Sequence, residues 1–288
     1  MKLGISTYSL HAAFSSGELD LAGVLETIAD LGAEHAEIVP LGIDLTNSPD
    51  LVQIIADTAA KRGLELSGYA IGANFSGLGE EERRAEIERV KREVEVCAAL
   101  GIKRMRHDVA SSSDLSIGHF LAELPQLAEA CREIADYAAP HGITTSVENH
   151  GYFIQHSDRV QALVHAVGRD NFRTTLDVGN FLCADENPLT AVANNAGLAS
   201  MVHVKDFYVR PASLQPGEGW FPSSGGSWLR GAIVGHGDID IPGALRIIRN
   251  SGYDGYISIE FEGMEECRKG TKLGFDYVRR TWDEITAG

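Results

Sequence analysis

Residues 144–151 read TTSVENHG. Thr144 to Val147 have the β-branched, apolar character of a strand made for burial, yet the run ends on Glu148 and continues into Asn149 and His150. A carboxylate at the end of a buried strand is costly to desolvate unless something compensates it. Short strand-like runs recur along the chain. Strand-like runs occupy Leu3–Tyr8, His35–Val39, Leu64–Ala70, Ile102–Val109, Ile143–Glu148, Arg173–Val178, Ser200–Phe207 and Gly255–Phe261.

Helical segments with clear start and stop signals lie between these runs. SPDLVQIIADTAAKRG begins on a Ser-Pro pair and stops at Gly63, and GEEERRAEIERVKREVEVCAALG puts acids in its first turn and stops at Gly101. SDRVQALVHAVG and DIPGALRIIRNSG follow the same grammar, and RKGTKLGFDYVRRTWDEI supplies a final helix. Alternation of strand and helix implies parallel strands with crossover helices. A count of eight selects an α/β fold of the (β/α)8 TIM barrel type over an open sheet. It is expected as one domain over residues 1–288, with a long loop between the seventh strand and the seventh helix.

Composition narrows the class. With 44% hydrophobic and 23% charged residues the chain is that of an ordinary globular protein, and no apolar run is long enough to span a bilayer. The N-terminal MKLGISTYSL enters a strand pattern at once, so the mature chain is expected to start at Met1. Cys97, Cys131, Cys183 and Cys267 are scattered and match neither a redox nor a thiolate zinc pattern, which points to a cytoplasmic setting. A net charge of −16 repels nucleic acid. The expected partner is a small molecule, with neither nucleic acid nor membrane, and a homo-oligomer is compatible with the sequence.

In such a barrel the C-terminal strand ends converge on one mouth. Glu148 ends the fifth strand, Asp177 the sixth and Glu260 the eighth, while His203 lies in the seventh. A lone Asp at a strand end often caps a helix, and a lone His is often a satisfied core residue. Four such residues on four consecutive strands favour a shared metal. Three carboxylates near one point repel one another unless a cation joins them. Their oxygens with one imidazole suit one divalent ion, Mn2+ first, with Mg2+, Co2+, Fe2+ or Zn2+ as alternatives.

The stretches SVENHG, TLDVGNF, VHVKDF and GHGDIDIPGALRIIRNSGYDGYISIEFEG resemble the sugar phosphate isomerase/epimerase family of the xylose isomerase-like barrel superfamily, over essentially the whole chain. The resemblance implies Glu148, Asp177, His203 and Glu260 as metal ligands, with Glu148 and Glu260 doubling as catalytic acid and base. The implied activity is isomerisation or epimerisation of a carbohydrate, moving a proton α to a carbonyl through a metal-stabilised enediolate. The alternative is a lyase that eliminates water or an aglycone from a 3-keto sugar or its glycoside. A sugar-binding subunit without activity is disfavoured by the intact ligand set. Several epimerases carry a His three residues after the ligand Asp, where this chain has Asn180. The DNA-repair branch needs more ligands than His107, His236 and Asp238 would add.

Residues 208–238 are rich in Gly, Pro and Ser with two Trp, the composition of a functional loop or lid, or else of a surface insertion. Trp228, Arg230 and His236 are its substrate-facing candidates. His107 at the end of the fourth strand, His150 beside a ligand, and Lys205 complete the substrate-binding set. Lys205 lies two positions after His203, so alternation puts both side chains on the barrel's inner face. Tyr8 is expected at the barrel floor, and Asn149 is unassigned. No GxGxxG or P-loop cradles a phosphate, which leaves an unphosphorylated sugar open.

Overall fold

The computed structural model describes residues 1–287. The first half of the chain runs through β1 (Lys2–Ser6), α1 (His11–Ser15), α2 (Leu21–Asp30), β2 (His35–Ile38), α3 (Pro49–Arg62), β3 (Glu65–Ile71), α4 (Glu80–Ala99), β4 (Arg104–His107) and α5 (Ile117–Ala138). It continues through β5 (Thr144–Glu148), α6 (Ser157–Val167), β6 (Phe172–Asp177), α7 (Pro188–Asn195) and β7 (Ala199–Val204). Three further strands follow: β8 (Asp206–Arg210), β9 (Phe221–Pro222) and β10 (Trp228–Ala232). The last elements are α8 (Ile241–Asn250), β11 (Tyr256–Ile259) and α9 (Cys267–Ala287).

Strands β1 to β7 and β11 close into a parallel barrel in the order β1-β11-β7-β6-β5-β4-β3-β2. All eight expected strands are present. The helices form the outer ring because each buries one apolar stripe against the sheet. Val24, Leu25 and Ile28 of α2, Val90 and Val94 of α4, Leu163 of α6, Ile248 of α8 and Val278 of α9 are almost wholly buried there. Their ends obey local chemistry: Asp20 accepts from the Gly23 amide at the start of α2, and Gly63 ends α3 in the left-handed region at φ 63°. No helix among the described residues is long and apolar enough to cross a membrane.

Two expectations are corrected. Ser200–Phe207 is not one strand: pairing in the barrel stops at Val204, and β8 starts at Asp206 in a separate sheet. The reason is Asp206, whose buried carboxylate accepts from the amides of Phe207 (2.9 Å), Gly235 (2.9 Å), Gly237 (2.9 Å) and Ile239 (3.3 Å). That bonding turns the chain out of the barrel and anchors the return of the excursion. The stretch expected as a long loop is in part a three-stranded antiparallel sheet, β8-β10-β9. Phe207 and Leu229 are buried in it, and Gly231 allows β10 to pass against the backbone of Glu262, where any side chain would collide.

Candidate metal centre

Register places the key side chains on the barrel's inner face. Asp177 is paired with His203, His203 with Ser258, and Glu148 with Thr175. Because side chains alternate along a strand, Glu148, Asp177, His203 and Glu260 all point inward near the mouth. One donor atom from each lies within 4.8 Å of all the others, and the four residues are buried. The Nδ1 of His203 is 3.4 Å from Glu148 Oε1, 3.9 Å from Glu260 Oε2 and 4.0 Å from Asp177 Oδ2.

Local turns hold this arrangement. Asp177 Oδ1 accepts from the amides of Gly179 (2.7 Å) and Asn180 (2.8 Å), which fixes the carboxylate at the start of the DVGN turn. Gly179 is needed there because a Cβ would sit 2.9 Å from the Lys205 carbonyl oxygen. Asn149, unassigned from sequence, bonds the Asp177 backbone twice: its Nδ2 donates to the carbonyl and its Oδ1 accepts from the amide, both at 2.9 Å. Asn180 Nδ2 donates to Glu148 Oε1 at 3.0 Å.

The remaining atoms test whether a cation belongs here. Asp177 Oδ2 and His203 Nδ1 are buried and have no hydrogen-bond partner, a state that native proteins seldom tolerate. Both face the common centre. Burial pushes the Asp177 carboxyl up to about 7, opposed by Lys205 and reinforced by Glu148 and Glu260. A divalent ion would satisfy both orphaned atoms and favour the ionised carboxylate, so the donor set fits a metal. His203 Nε2 lies 2.7 Å from Glu37 Oε2, and both side chains are 1% exposed. The two approach as a close ion pair off the line of a hydrogen bond, and a carboxylate beside the far nitrogen helps orient an imidazole toward a metal.

Charged partners brace the two glutamates. Arg106 Nη2 is 2.5 Å from Glu148 and 3.0 Å from Asp108. Burial alone would raise the Glu148 carboxyl, but Arg106 and then His203 hold it well below the usual carboxylate range. Lys205 Nζ is 2.7 Å from Glu260 and 3.2 Å from Glu262, and these carboxylates keep its ammonium charged against the opposing effect of burial.

A cavity of about 450 Å³ opens above the cluster, a size within the range of small-molecule sites. Glu148, His203, Lys205 and Glu260 line it together with His150, whose Nδ1 is 3.1 Å from Asp108. Other expected substrate contacts lie elsewhere. His107 is fully buried between Phe75 and Phe172, with Nδ1 2.9 Å from the Asp108 carbonyl. Alternation turns it outward and gives the inward position to Arg106. His236 is exposed on the turn after β10, outside the cavity lining. Arg230 is stacked between Tyr208 (4.8 Å) and Trp220 (5.4 Å) in the antiparallel sheet, and neither it nor Trp228 lines the cavity. Tyr8, expected at the floor, lies at the mouth with its hydroxyl 3.1 Å from Glu262.

Glu37, Arg106, Asp108 and Glu262 were not read from the sequence. Glu262 was accessible by the alternation that placed Lys205, being two positions beyond Glu260. Glu37 carries a weaker signal, a single acid inside the strand-like run HAEIV.

The sequence profile of the xylose isomerase-like TIM barrel family matches residues 25–281. No curated protein matches the chain at the level of sequence. Among solved structures, the IOLI protein with a bound zinc atom superposes with a TM-score of 0.77 at 18% identity, covering 100% of this chain and 98% of that one. An L-ribulose 3-epimerase gives 0.74 at 18%, covering 99% and 96%. The probable 3-DHS dehydratase AsbF from Bacillus anthracis gives 0.73 at 15%, covering 97% and 99%. At these identities the likeness is one of fold.

Proposed function

Since the chain belongs to the xylose isomerase-like TIM barrel family, we propose that it is a divalent-metal-dependent sugar isomerase or epimerase that moves a proton at the carbon next to a carbonyl. The observation that carries this proposal is the convergence of four donor atoms beneath an open cavity that Glu148 and Glu260 both line. A bound divalent ion, Mn2+ by preference, would polarise the substrate's carbonyl oxygen and so acidify the neighbouring C–H.

The protein's own groups handle the proton. Glu148 and Glu260 come from β5 and from the end of β11, with β6 and β7 between them in the barrel order. They therefore approach a bound sugar from two sides, as inversion of one carbon requires. Glu148, clamped by Arg106 and Asn180, stays ionised and fixed in direction. Glu260 is the less tightly held of the two, with Lys205 Nζ as its close partner. His150 adds a hydrogen-bonding group at the rim for sugar hydroxyls.

Elimination of water or an aglycone from a 3-keto sugar or its glycoside is the second reading. The Lys205 ammonium beside Glu260 favours it, because a cation next to the base is in place to donate a proton to a leaving oxygen. Metal-reconstituted protein incubated with candidate keto sugars in deuterated water separates the two. Exchange at one carbon with recovery of an isomer supports proton transfer, whereas loss of water or aglycone supports elimination. Glu260→Gln should lower exchange by about a hundredfold or more; a variant that kept both full exchange and full metal content would overturn the assignment.

A further inference from the structure

The end of the barrel opposite the metal centre carries a second cavity, of about 510 Å³. Strand alternation explains what faces it. Four positions before Asp177 and Glu148, and two before Arg106, the same inner face carries Arg173, Thr144 and Arg104. All three line the cavity, with Lys103 beside them. Four residues of strand cover about 13 Å, so this floor is a separate place from the mouth.

The cavity is marked by uncompensated positive charge in a chain whose net charge is −16. Among the described residues, Lys103, Arg104 and Arg173 have no carboxylate within 4.0 Å. Each donates instead to one backbone carbonyl: Lys103 Nζ to His141 (2.9 Å), Arg104 Nε to Ser200 (3.1 Å) and Arg173 Nη2 to Gly197 (2.9 Å). Arg104 also stacks over the Tyr256 ring at 4.5 Å. The other nitrogens of both guanidinium forks have no acceptor among the described residues. The acid in the lining, Asp254, is taken by the terminal amine of Met1 at 2.9 Å. His141 and Gly197 lie in the short turns that extend α5 and α7. Each of those helix ends contributes roughly half a negative charge, so three cations against them leave an excess of about two.

We propose that the barrel floor is a binding site for a phosphate group, free or carried on a small monoester, separate from the chemistry at the mouth. A phosphate dianion matches the excess charge, and its tetrahedral oxygens suit two guanidinium forks, an ammonium and the Thr144 hydroxyl. The full chain, metal-loaded and desalted, is titrated calorimetrically at neutral pH and low salt with inorganic phosphate and with glycerol 3-phosphate. Saturable binding is expected with a Kd of about 1 mM or below. It should weaken by roughly tenfold in the double variant Lys103→Gln, Arg173→Gln and fall as NaCl is raised from about 0.05 to about 0.5 M. It should persist after a chelator removes the metal, which distinguishes the floor from a metal-bound phosphate at the mouth. Tighter binding of the ester marks a metabolite's phosphoryl group as the ligand, tighter binding of the ion marks free phosphate, and either supports the site. Urea midpoints are read alongside, because a purely structural role would move stability and leave phosphate binding unchanged. Should the double variant not fold, Lys103→Gln alone, at an exposed position, carries the test with a loss of roughly threefold. Neither probe binding saturably below about 20 mM, or binding that ignores salt, needs the metal or survives removal of these charges, overturns the proposal.

Discussion

Glu37 offers the sharpest perturbation of the centre because it touches the clustered histidine without belonging to the cluster itself. It lies 2.7 Å from His203 Nε2 in a site where both side chains are 1% exposed, so water cannot take its place. Its carboxylate presents the His203 ring with Nδ1 toward Glu148, Asp177 and Glu260. Loss of such an outer partner typically weakens metal binding by about 10- to 100-fold, or about 1.4 to 2.8 kcal/mol. Glu37→Gln keeps the volume and an acceptor but loses the charge, so it should fall near the lower figure. Glu37→Ala also breaks this close buried pair and leaves a void, which should cost about 3 kcal/mol of fold stability in addition. Competition against a fluorescent chelator gives the Mn2+ affinity, and urea unfolding of the metal-free proteins gives the stability. Glu93→Gln serves as the control, since Glu93 lines the cavity but bonds Tyr69 and Arg89, not the cluster. Both Glu37 variants binding Mn2+ within about twofold of the unmodified protein, with the fold intact, would refute the orienting role.

Asn149→Ala removes both hydrogen bonds to the Asp177 backbone and should destabilise the protein by about 2 kcal/mol, read from the urea midpoint; an unchanged midpoint would show that water replaces them. Stability should also fall in acid through His35 and His107. Burial pushes each imidazole down to about 4 from 6.5, so both stay neutral in the folded chain while the unfolded chain takes up protons below 6.5. Their contribution is complete above pH 6.5 and is lost as pH falls to about 4, at up to about 3 kcal/mol each. Urea midpoints measured across that window should decline with a shallower slope in His35→Gln, and a slope unaltered by the substitution would remove His35 from the account.

The barrel was legible because each strand–helix pair carries its own period and caps, and the eight strands recur at the spacing that crossover helices impose. The excursion after β7 was not. Its strands are short, its Gly, Pro and Ser content is that of a loop, and SMVHVKDF holds no glycine or proline to mark where the chain passes from one sheet into another. The turn at Asp206 depends on amides some thirty residues further on, which no local pattern reveals. At the site, the four clustered residues were visible as strand-end polar groups. Their supports were obscured by parity: in RMRH the eye takes the histidine, while the pleat sends Arg106 inward and packs His107 against Phe75 and Phe172. Asn149 was opaque for a different reason, since its partner is the Asp177 backbone on the next strand.

The central claim is that one divalent ion belongs among Glu148, Asp177, His203 and Glu260. Crystals equilibrated with Mn2+ and measured for anomalous scattering test it directly. A single peak is expected, bonded by Nδ1 of His203 and by a carboxylate oxygen from each of Glu148, Asp177 and Glu260. A mouth without a peak at saturating Mn2+, or an ion held by other side chains, would contradict it.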